Sequence, residues 1–304
     1  MAITLSGDQY GKAETHLVRI VRDTARHEIR DLTVTTALRG DFADAYLVGD
    51  QSKVLPTDTQ KNTVYAFAKS RGVASPESFG LELARHLVAE TAPVSGARIE
   101  IQEDAWERIL VDGAEHDHSF VRRGTETRTV AVTVDASGEH VIGGLRDLTI
   151  LKSTGSEFHD FLVDEYTTLE PTSDRVMATA LEARWRFDPA AVAGRSGADW
   201  DASYARIRAI LLREFATLQS LALQQTLWHM GRAVLIELPE VVEIRMAAPN
   251  KHHFVVDLSR FGLENPNEVF HADDRPYGLI EAQVARDDAP PAGEAWRTTA
   301  GGFA

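Results

Sequence analysis

The order of apolar patterns repeats along this chain, and that repetition constrains the fold more than any other sequence feature. Residues 10–135 carry two strand patterns, two helical stripes and two more strand patterns, and residues 145–284 carry the same order. A duplicated α+β domain is the economical interpretation. We place the boundary near Ser137, which predicts one domain over residues 1–137 and a second over residues 138–304.

Side-chain spacing defines the individual elements. Leu181, Ala183, Trp185 and Phe187 alternate with charged residues, as expected for a strand with one buried face. Ser75 precedes a proline and a glutamate, which is typical of a helix N-cap and first turn. In each half the strands flank the helices, so each half predicts a largely antiparallel sheet of about four strands with its helices on one face.

The stretch from Pro56 to Tyr65 marks the start of a further helix. Thr57 and Asp58 are residue types that accept hydrogen bonds from the free N–H groups of a first helical turn. A helix N-terminus also attracts anions, and a threonine hydroxyl can both donate and accept a proton. An ordinary capped helix is the commoner meaning of these residues taken alone, and a binding site for an anion is the alternative.

Sheets of this kind have an uncovered face and unpaired edges, which need a partner. We therefore expect sheets to associate between subunits. The last strand ends after Val284, because Arg286 takes the next position on its apolar face. The segment beyond it, to Ala304, is rich in Pro, Gly and Ala, and we expect it to be loosely held.

Composition excludes several classes of function. The 304 residues are 43% hydrophobic, with no apolar run long enough to span a membrane and no signal-peptide pattern at the start. The absence of Cys excludes disulfides and thiolate metal sites. A formal charge of -14 argues against a general binder of nucleic acid or of anionic membranes.

Other candidate motifs are weak when taken singly. Gly11-Lys12 lacks the remainder of a phosphate-binding loop. His116 and His118 have the spacing of two metal ligands, but an HxH pair in a polar loop is more often solvated than bound to a metal. Arg175, at the start of a strand, could form a surface ion pair or present a bidentate fork to a planar anion.

Several segments together resemble the urate oxidase (uricase) family. They occur in the family's order and span nearly the whole chain. The matching segments are Tyr10-Gly11-Lys12, Thr57-Asp58-Thr59-Gln60-Lys61-Asn62, Leu151–Phe158, Tyr166-Thr167-Thr168-Leu169, Asp174-Arg175, Gln224 with its neighbours, Pro249-Asn250-Lys251-His252 and Tyr277-Gly278-Leu279-Ile280. Eukaryotic members often end in a peroxisomal Ser-Lys-Leu-type signal, whereas this chain ends in Gly302-Phe303-Ala304. We therefore expect a bacterial, cytoplasmic protein.

The resemblance implies an architecture and a reaction. Two tandem tunnelling-fold (T-fold) domains would form each chain, and four chains would form a homotetramer whose sheets join into barrels across subunits, with active sites at subunit interfaces. The reaction is the oxidation of urate by O2 and water to 5-hydroxyisourate and hydrogen peroxide, in purine degradation. It uses no metal and no organic cofactor, with O2 as the co-substrate, and it gives His116 and His118 no required role.

The resemblance also implies how urate would be held. Arg175 and Gln224 would bind two edges of the anion, and Phe158 would stack on its ring. Thr57 and the backbone of Asp58 would hold the opposite edge. The set implied for substrate binding is Thr57, Asp58, Phe158, Arg175, Leu223, Gln224 and Asn250, with a backbone group from Leu223 and with Asn250 holding oxygen or water above the ring.

Lys12, Thr57 and His252 would form a proton relay in such an enzyme. Lys12 can act as a base only when it is neutral, which burial away from carboxylates favours. The Thr57 hydroxyl can pass a proton on, and His252 can take it up and return it near neutral pH. The same fold also hosts pterin-binding enzymes, some of them metal-dependent, so a pterin- or purine-binding protein without this activity is the alternative.

Overall fold

The computed structural model describes residues 2–273 and 275–297, and its centre is one antiparallel sheet. Across these residues the strands pair in the order β1-β2-β3-β4-β5-β6-β7-β8, and β9 also pairs with β7. The strands are β1 (Tyr10–Val21), β2 (Glu28–Gly40), β3 (Val94–Val111), β4 (Ala114–Asp135), β5 (Gly138–Lys152), β6 (Met177–Phe187), β7 (Val241–Val255), β8 (Phe270–Asp273) and β9 (Leu279–Ala285).

Six helices lie between the strands in the described part of the chain. They are α1 (Ala43–Leu47), α2 (Thr57–Ser70), α3 (Pro76–Glu90), α4 (Pro189–Val192), α5 (Gly197–Thr217) and α6 (Leu223–Glu237). The repeated strand-strand-helix-helix-strand-strand order is therefore present, with the short elements α1, α4 and β8 added to it. No helix in the described residues is both long and apolar enough to cross a membrane.

The two halves share one continuous sheet. A two-residue turn at Ala136 and Ser137 joins β4 to β5, and these strands pair from Asp135 with Gly138 to Thr127 with Arg146. The predicted boundary coincides with this turn. The division into domains 1–137 and 138–304 stays a prediction, because the sheet itself is not interrupted there.

The helices cover one face of the sheet, and the core lies between them. Alternate residues of β3 such as Ile99 and Ile101 are buried there against Phe79 and Leu83 of α3. Gly80 lies where a Cβ atom would come within 3.0 Å of the Val132 side chain, so its lack of a side chain lets α3 approach the sheet closely. The predicted cap of α3 is confirmed, with Ser75 accepting from the backbone of the third helical residue.

The other face of the sheet carries polar side chains and is crossed by residues 289–297, which we call the strap. Arg186 donates to the Pro290 carbonyl at 2.9 Å, and Arg98 donates to the Ala295 carbonyl at 3.0 Å. The Trp296 indole donates to Glu243 at 3.0 Å. The expectation of a loosely held tail is wrong for this segment, because arginines on four strands provide donors and a stacking partner for it. Residues 298–304 lie outside the described part.

Candidate active site

A cavity of about 610 Å³ lies between the segment that follows β5 and the outer part of β7. It brings together four residues of the predicted site, Phe158, Arg175, Asn250 and His252. The loop residues Thr168 to Val176 form much of its remaining wall. The cavity therefore contains the predicted stacking ring, the cation and two of the polar groups.

Arg175 supplies a half-buried positive charge beside an aromatic ring. Its guanidinium carbon lies 5.0 Å from the centre of the Phe158 ring, and its Nε donates to Ser156 Oγ at 3.3 Å. Burial lowers the pKa of Arg175, and among the described residues no carboxylate opposes that effect. A guanidinium stays charged at physiological pH, so this site favours an anion.

The backbone around Phe158 fixes that pair. Phe158 and Thr172 exchange two backbone hydrogen bonds, of 2.8 and 2.9 Å, and the Arg175 backbone donates to the Ser156 carbonyl at 2.9 Å. The Phe158 ring also stacks on Phe161, with centroids 5.0 Å apart. These hydrogen bonds hold the two chain segments together, and they fix the orientation of the Phe158 ring and the Arg175 guanidinium.

Asn250 and His252 enter the cavity from β7. They continue the even-numbered series of β7 that faces the helices, in which Met246 and Ala248 are buried. The Asn250 backbone donates to the Gly278 carbonyl at 2.8 Å, and the His252 ring stacks on Phe254 at 5.7 Å. Both polar side chains therefore lie just beyond the end of the apolar core, where β7 leaves it.

Leu223 and Gln224 begin α6 and lie outside the lining of this cavity. Leu223 is buried in the core, and Gln224 is exposed. The chain just before them is tied to the cavity wall, because Glu157 donates its backbone N–H to the Ser220 carbonyl at 2.8 Å. The structure thus ties the chain before Gln224 to the cavity wall but does not bring the Gln224 side chain into the cavity.

Lys12, Thr57 and Asp58 form a second group at the opposite end of the sheet. Half-buried Lys12 lies in β1 directly opposite Thr36 of β2, on the face that α2 covers. Hydrogen bonds from Lys61 and Asn62, together with the charge of Lys12, hold the pKa of Asp58 below its ordinary value. The Lys12 charge therefore acts at the first turn of α2.

The start of α2 differs from the predicted cap. Pro56 occupies the N-cap position, its carbonyl accepts from the Gln60 backbone at 3.1 Å, and no side chain caps the helix. Pro56 has a φ of -53° but an extended ψ of 140°, so the helix begins at Thr57 itself. The half-buried Thr57 hydroxyl is not used for capping, which leaves it available for a ligand.

One chain does not bring the two groups together. β1 is one edge of the sheet, and six inter-strand steps of about 4.8 Å separate it from β7, or about 29 Å along the sheet. Lys12 belongs to the first edge and His252 to the far side. A site that uses both must be built from two chains.

Sequence analysis missed the residues that support Lys12. Thr36 and Gln60 are almost fully buried, and the Thr36 hydroxyl donates to the Gln60 amide oxygen at 2.7 Å. The available signal was the helical spacing of Gln60, Val64 and Ala68, which puts a polar side chain in a buried stripe.

His116 and His118 have a third histidine beside them. The His118 ring lies 4.5 Å from the His116 ring and 5.8 Å from the ring of His27, which precedes β2. In the described part of the chain, no group of three or more His, Asp or Glu side chains is arranged to hold a metal ion. These histidines lie on the long β3–β4 hairpin, outside the lining of the cavity.

Comparison with known proteins identifies the family. The family model described as Uricase matches residues 8–133 and 141–281. The chain belongs to the uricase family. It is 50% identical to a uricase of Arthrobacter globiformis over 299 residues, which cover 98% of this chain and 95% of that relative. It is 36% identical to a uricase of Cyberlindnera jadinii, over 95% of this chain and 99% of the relative.

A solved structure agrees with the family assignment. The crystal structure of uricase from Arthrobacter globiformis is similar to this one with a TM-score of 0.91 and 49% identity, covering 98% of this chain and 100% of that one. The prediction of an α+β fold with two tandem T-fold repeats is thereby confirmed, as is the predicted family. The roles of individual site residues stay predictions.

Proposed function

We propose that this protein oxidises urate with O2 and water to 5-hydroxyisourate and hydrogen peroxide. The observation that carries the proposal is the Arg175–Phe158 pair in one wall of the cavity, in a chain of the uricase family. A planar anion needs an aromatic face to stack on and a cation at its edge, and this pair offers both. Membership of the family disfavours the alternative of a pterin-binding protein.

Binding would use groups on both sides of the cavity. Arg175 would hold one edge of urate, with Gln224 turning in from the start of α6 to bind another, beside the backbone of Leu223. Phe158 would stack on the ring. Asn250, whose backbone is fixed by Gly278, would hold O2 or water above it. Binding of urate would order the exposed Gln224 side chain.

Proton transfer would use Lys12, Thr57 and His252. Urate must lose a proton to become electron-rich enough to reduce O2, and Lys12 would take that proton through the Thr57 hydroxyl. Two electrons pass from urate to O2, and the two protons of hydrogen peroxide come from urate and water. Water supplies the hydroxyl group of the product, and His252 would accept and return the proton that this step releases. No metal or organic cofactor is needed in this scheme.

The proposed site requires a second copy of the chain. Lys12, Thr57 and Asp58 of one copy would meet the cavity of another across a two-fold axis, and sheets would join at their edges into a barrel. Support comes from exposed apolar side chains at both places. Val18 projects from β1 at 50% exposure, and Leu162 projects from the loop beside Phe158 at 94%. We propose a homotetramer on this basis, and a bacterial, cytoplasmic location stays a prediction.

Oxygen uptake tests the proposed function. Purified protein, treated with a chelator and dialysed, is supplied with urate while O2 consumption and peroxide formation are measured. We expect one O2 consumed and one peroxide formed for each urate, at the rate of the untreated protein. Absence of uptake before and after chelation would refute urate oxidation. Loss of uptake that one added metal restores would instead contradict cofactor-free chemistry.

A further inference from the structure

We propose that Gln60 and Thr36 are positioning residues that set Lys12 relative to Thr57. This inference rests on the proposed function, because it concerns the relay that those two residues would form. Its basis is a chain of hydrogen bonds, buried at its centre and partly buried elsewhere, that begins and ends on β1 and passes through the first turn of α2. Neither residue lines the cavity, and both act through the residues that they hold.

The hydrogen-bond chain joins the backbone of Lys12 to α2. The Lys12 N–H donates to the Thr36 hydroxyl at 3.3 Å, and that hydroxyl donates to the Gln60 amide oxygen at 2.7 Å. The Gln60 amide nitrogen donates to the Leu55 carbonyl at 3.3 Å. The Tyr10 hydroxyl donates to the same carbonyl at 3.1 Å and accepts from the Leu55 N–H at 2.9 Å.

These hydrogen bonds form a closed circuit between β1 and the start of α2. Tyr10 and Lys12 both belong to β1, while Leu55 immediately precedes the Pro56 N-cap of α2. Gln60 lies three residues after Thr57, so the two lie on neighbouring positions of one helix face. A shift of α2 along β1 would therefore break hydrogen bonds on both sides of the circuit. Because Gln60 is completely buried, water cannot replace the bonds that it loses.

A bulge interrupts the regular pairing of β1 next to Lys12, so side-chain hydrogen bonds are needed to hold the strand there. The pairing of β1 with β2 shifts between Lys12 and Thr15, and Glu14 there has φ of 54°. Two neighbouring threonines fix the bulge, because Thr35 accepts from the Glu14 N–H at 3.0 Å while Thr36 accepts from Lys12. Bulges change the direction of nearby side chains and occur beside active sites, so this one sets where the Lys12 side chain points.

Gly11 shows how closely β1 approaches β2. A Cβ atom at Gly11 would lie 1.8 Å from the Thr36 carbonyl oxygen, which no side chain could accept. Thr36 therefore contacts β1 through its backbone at Gly11 and through its hydroxyl at Lys12. Proton transfer requires donor and acceptor within hydrogen-bond reach, and a displacement of about 1 Å can cost about 100-fold in rate.

Five variants separate a positioning role from a purely structural one. Thr36→Val leaves the Gln60 amide oxygen and the Lys12 N–H without this partner, and Gln60→Leu leaves the Thr36 hydroxyl without its acceptor. The double variant removes the Thr36–Gln60 pair as a whole but still leaves the Lys12 N–H without its acceptor, so it should recover part of the lost melting temperature. Thr36→Ser keeps the hydroxyl. Thr133→Val is the matched control, since Thr133 is also a buried strand threonine, bonded to Arg98 at 2.8 Å and remote from Lys12.

We expect kcat to fall while KM changes little. In the double variant kcat for urate should stay about 10–100-fold below wild type, while KM changes less than about threefold because the proposed clamp belongs to the other half. Thr36→Ser and Thr133→Val should keep wild-type kcat. A double variant with wild-type kcat would overturn the inference. If it does not fold, Thr36→Val with the kcat of Thr36→Ser would overturn it as well.

Measuring the wild-type protein in parallel distinguishes failure of the positioning role from failure of the proposed function. If wild-type protein does not consume O2 with urate, the proposed function fails, and the relay with it. If wild type is active and the hydrogen-bond variants match it in kcat, only the positioning role fails. A fall in kcat shared equally by Thr133→Val would also count against it, because the cause would then be general loss of packing.

Discussion

Arg39 of β2 donates to the carboxylate of Glu294 at 2.6 Å, across 255 residues of sequence. The same guanidinium also bonds Asp135 at the end of β4. Trp296, two residues after Glu294, lies with its ring 3.9 Å from the Arg245 guanidinium carbon on β7. The strap thus joins the first half of the sheet to the second on the face that the helices leave uncovered.

Removing the strap should destabilise the protein. A chain that ends at Asp288 loses the bonds of Arg39, Arg98 and Arg186 to the strap, each worth about 1 kcal/mol or more. We expect its melting temperature to fall by about 5 °C or more in a thermal scan. A chain that ends at Arg297 keeps the whole strap and is the control, so it should melt well above the chain that ends at Asp288. Equal melting of the two shortened chains would contradict a stabilising strap.

Lys12→Met should reduce turnover far more than binding. Lys12 is assigned to proton transfer, and loss of a general base costs about 10²–10⁴-fold in rate. Steady-state kinetics with urate and equilibrium binding of an analogue that is not oxidised measure the two effects. Thr57→Ala should impair both, since Thr57 also touches the ligand. Near wild-type turnover by Lys12→Met across neutral pH would refute the relay.

Arg175→Gln should weaken binding of urate and of its analogues. A hydrogen bond to a charged group is worth about 1.5–3 kcal/mol, which corresponds to about 10–150-fold in Kd. Titration calorimetry with the analogue measures the change. Arg184→Gln is the matched control, because Arg184 pairs with Glu182 at 3.1 Å on the opposite face of the sheet. Equal affinities for wild type and Arg175→Gln would disprove the clamp.

Mixed assemblies should recover activity that neither parent has. Lys12→Met chains and Arg175→Gln chains are unfolded together and refolded as a mixture. In a mixed pair related by a two-fold axis, one site collects both substitutions and the other collects none. Random pairing makes half of the pairs mixed, so about a quarter of wild-type activity should return. Confirmed mixed assemblies without activity would show that each site lies within one chain.

The stability of the fold should depend on Glu126 in acid. Burial raises the pKa of this carboxyl, but hydrogen bonds from Arg208 at 2.7 Å and Tyr204 at 2.8 Å outweigh burial and hold the pKa below its ordinary 4.5. A depressed pKa stabilises the fold above pH 4.5, and that stabilisation is lost as the pH falls through the lower, folded-state value.

Glu126→Gln measures that contribution. At pH 7 it should lower the free energy of unfolding by about 1–3 kcal/mol. Its difference from wild type should shrink as the pH falls below 4.5 and through the lower, folded-state pKa, where the wild-type carboxylate becomes protonated. Urea unfolding at several pH values provides the measurement, and Glu182→Gln, which alters an exposed carboxylate, provides the control. A difference that stays constant down to pH 3 would contradict the linkage.

The sequence predicted the long elements because each carries enough residues to show a period. The alternation in β6 and the stripe of α3 were both located correctly. Helices α1 and α4 and strand β8 contain only 5, 4 and 4 residues, too few to define a period. The strap was missed for a different reason, since its partners lie up to 255 residues away.

The candidate site was predictable in its residue types but not in its arrangement. Family resemblance pointed to Phe158, Arg175, Asn250 and His252, and the structure gathers these four in one cavity. It leaves Gln224 exposed at the start of α6, outside the lining of that cavity. The partner of a buried polar group depends on tertiary packing, so helical spacing alone could not connect Gln60 to Thr36.

The hairpin between β4 and β5 determines how the two halves meet. The first half ends in β4 and the second begins with β5, and without the hairpin these two strands would lack a neighbour on one side. A chain made of one half could pair that strand only with another copy. The turn at Ser137 holds the second half beside the first at a high effective concentration, independent of how much protein is present. Two separate halves would pair these strands only by an association that weakens on dilution, whereas a single chain pairs them at any concentration. In the described part of the chain, β1 on one side and β8 and β9 on the other are the outer strands left for assembly.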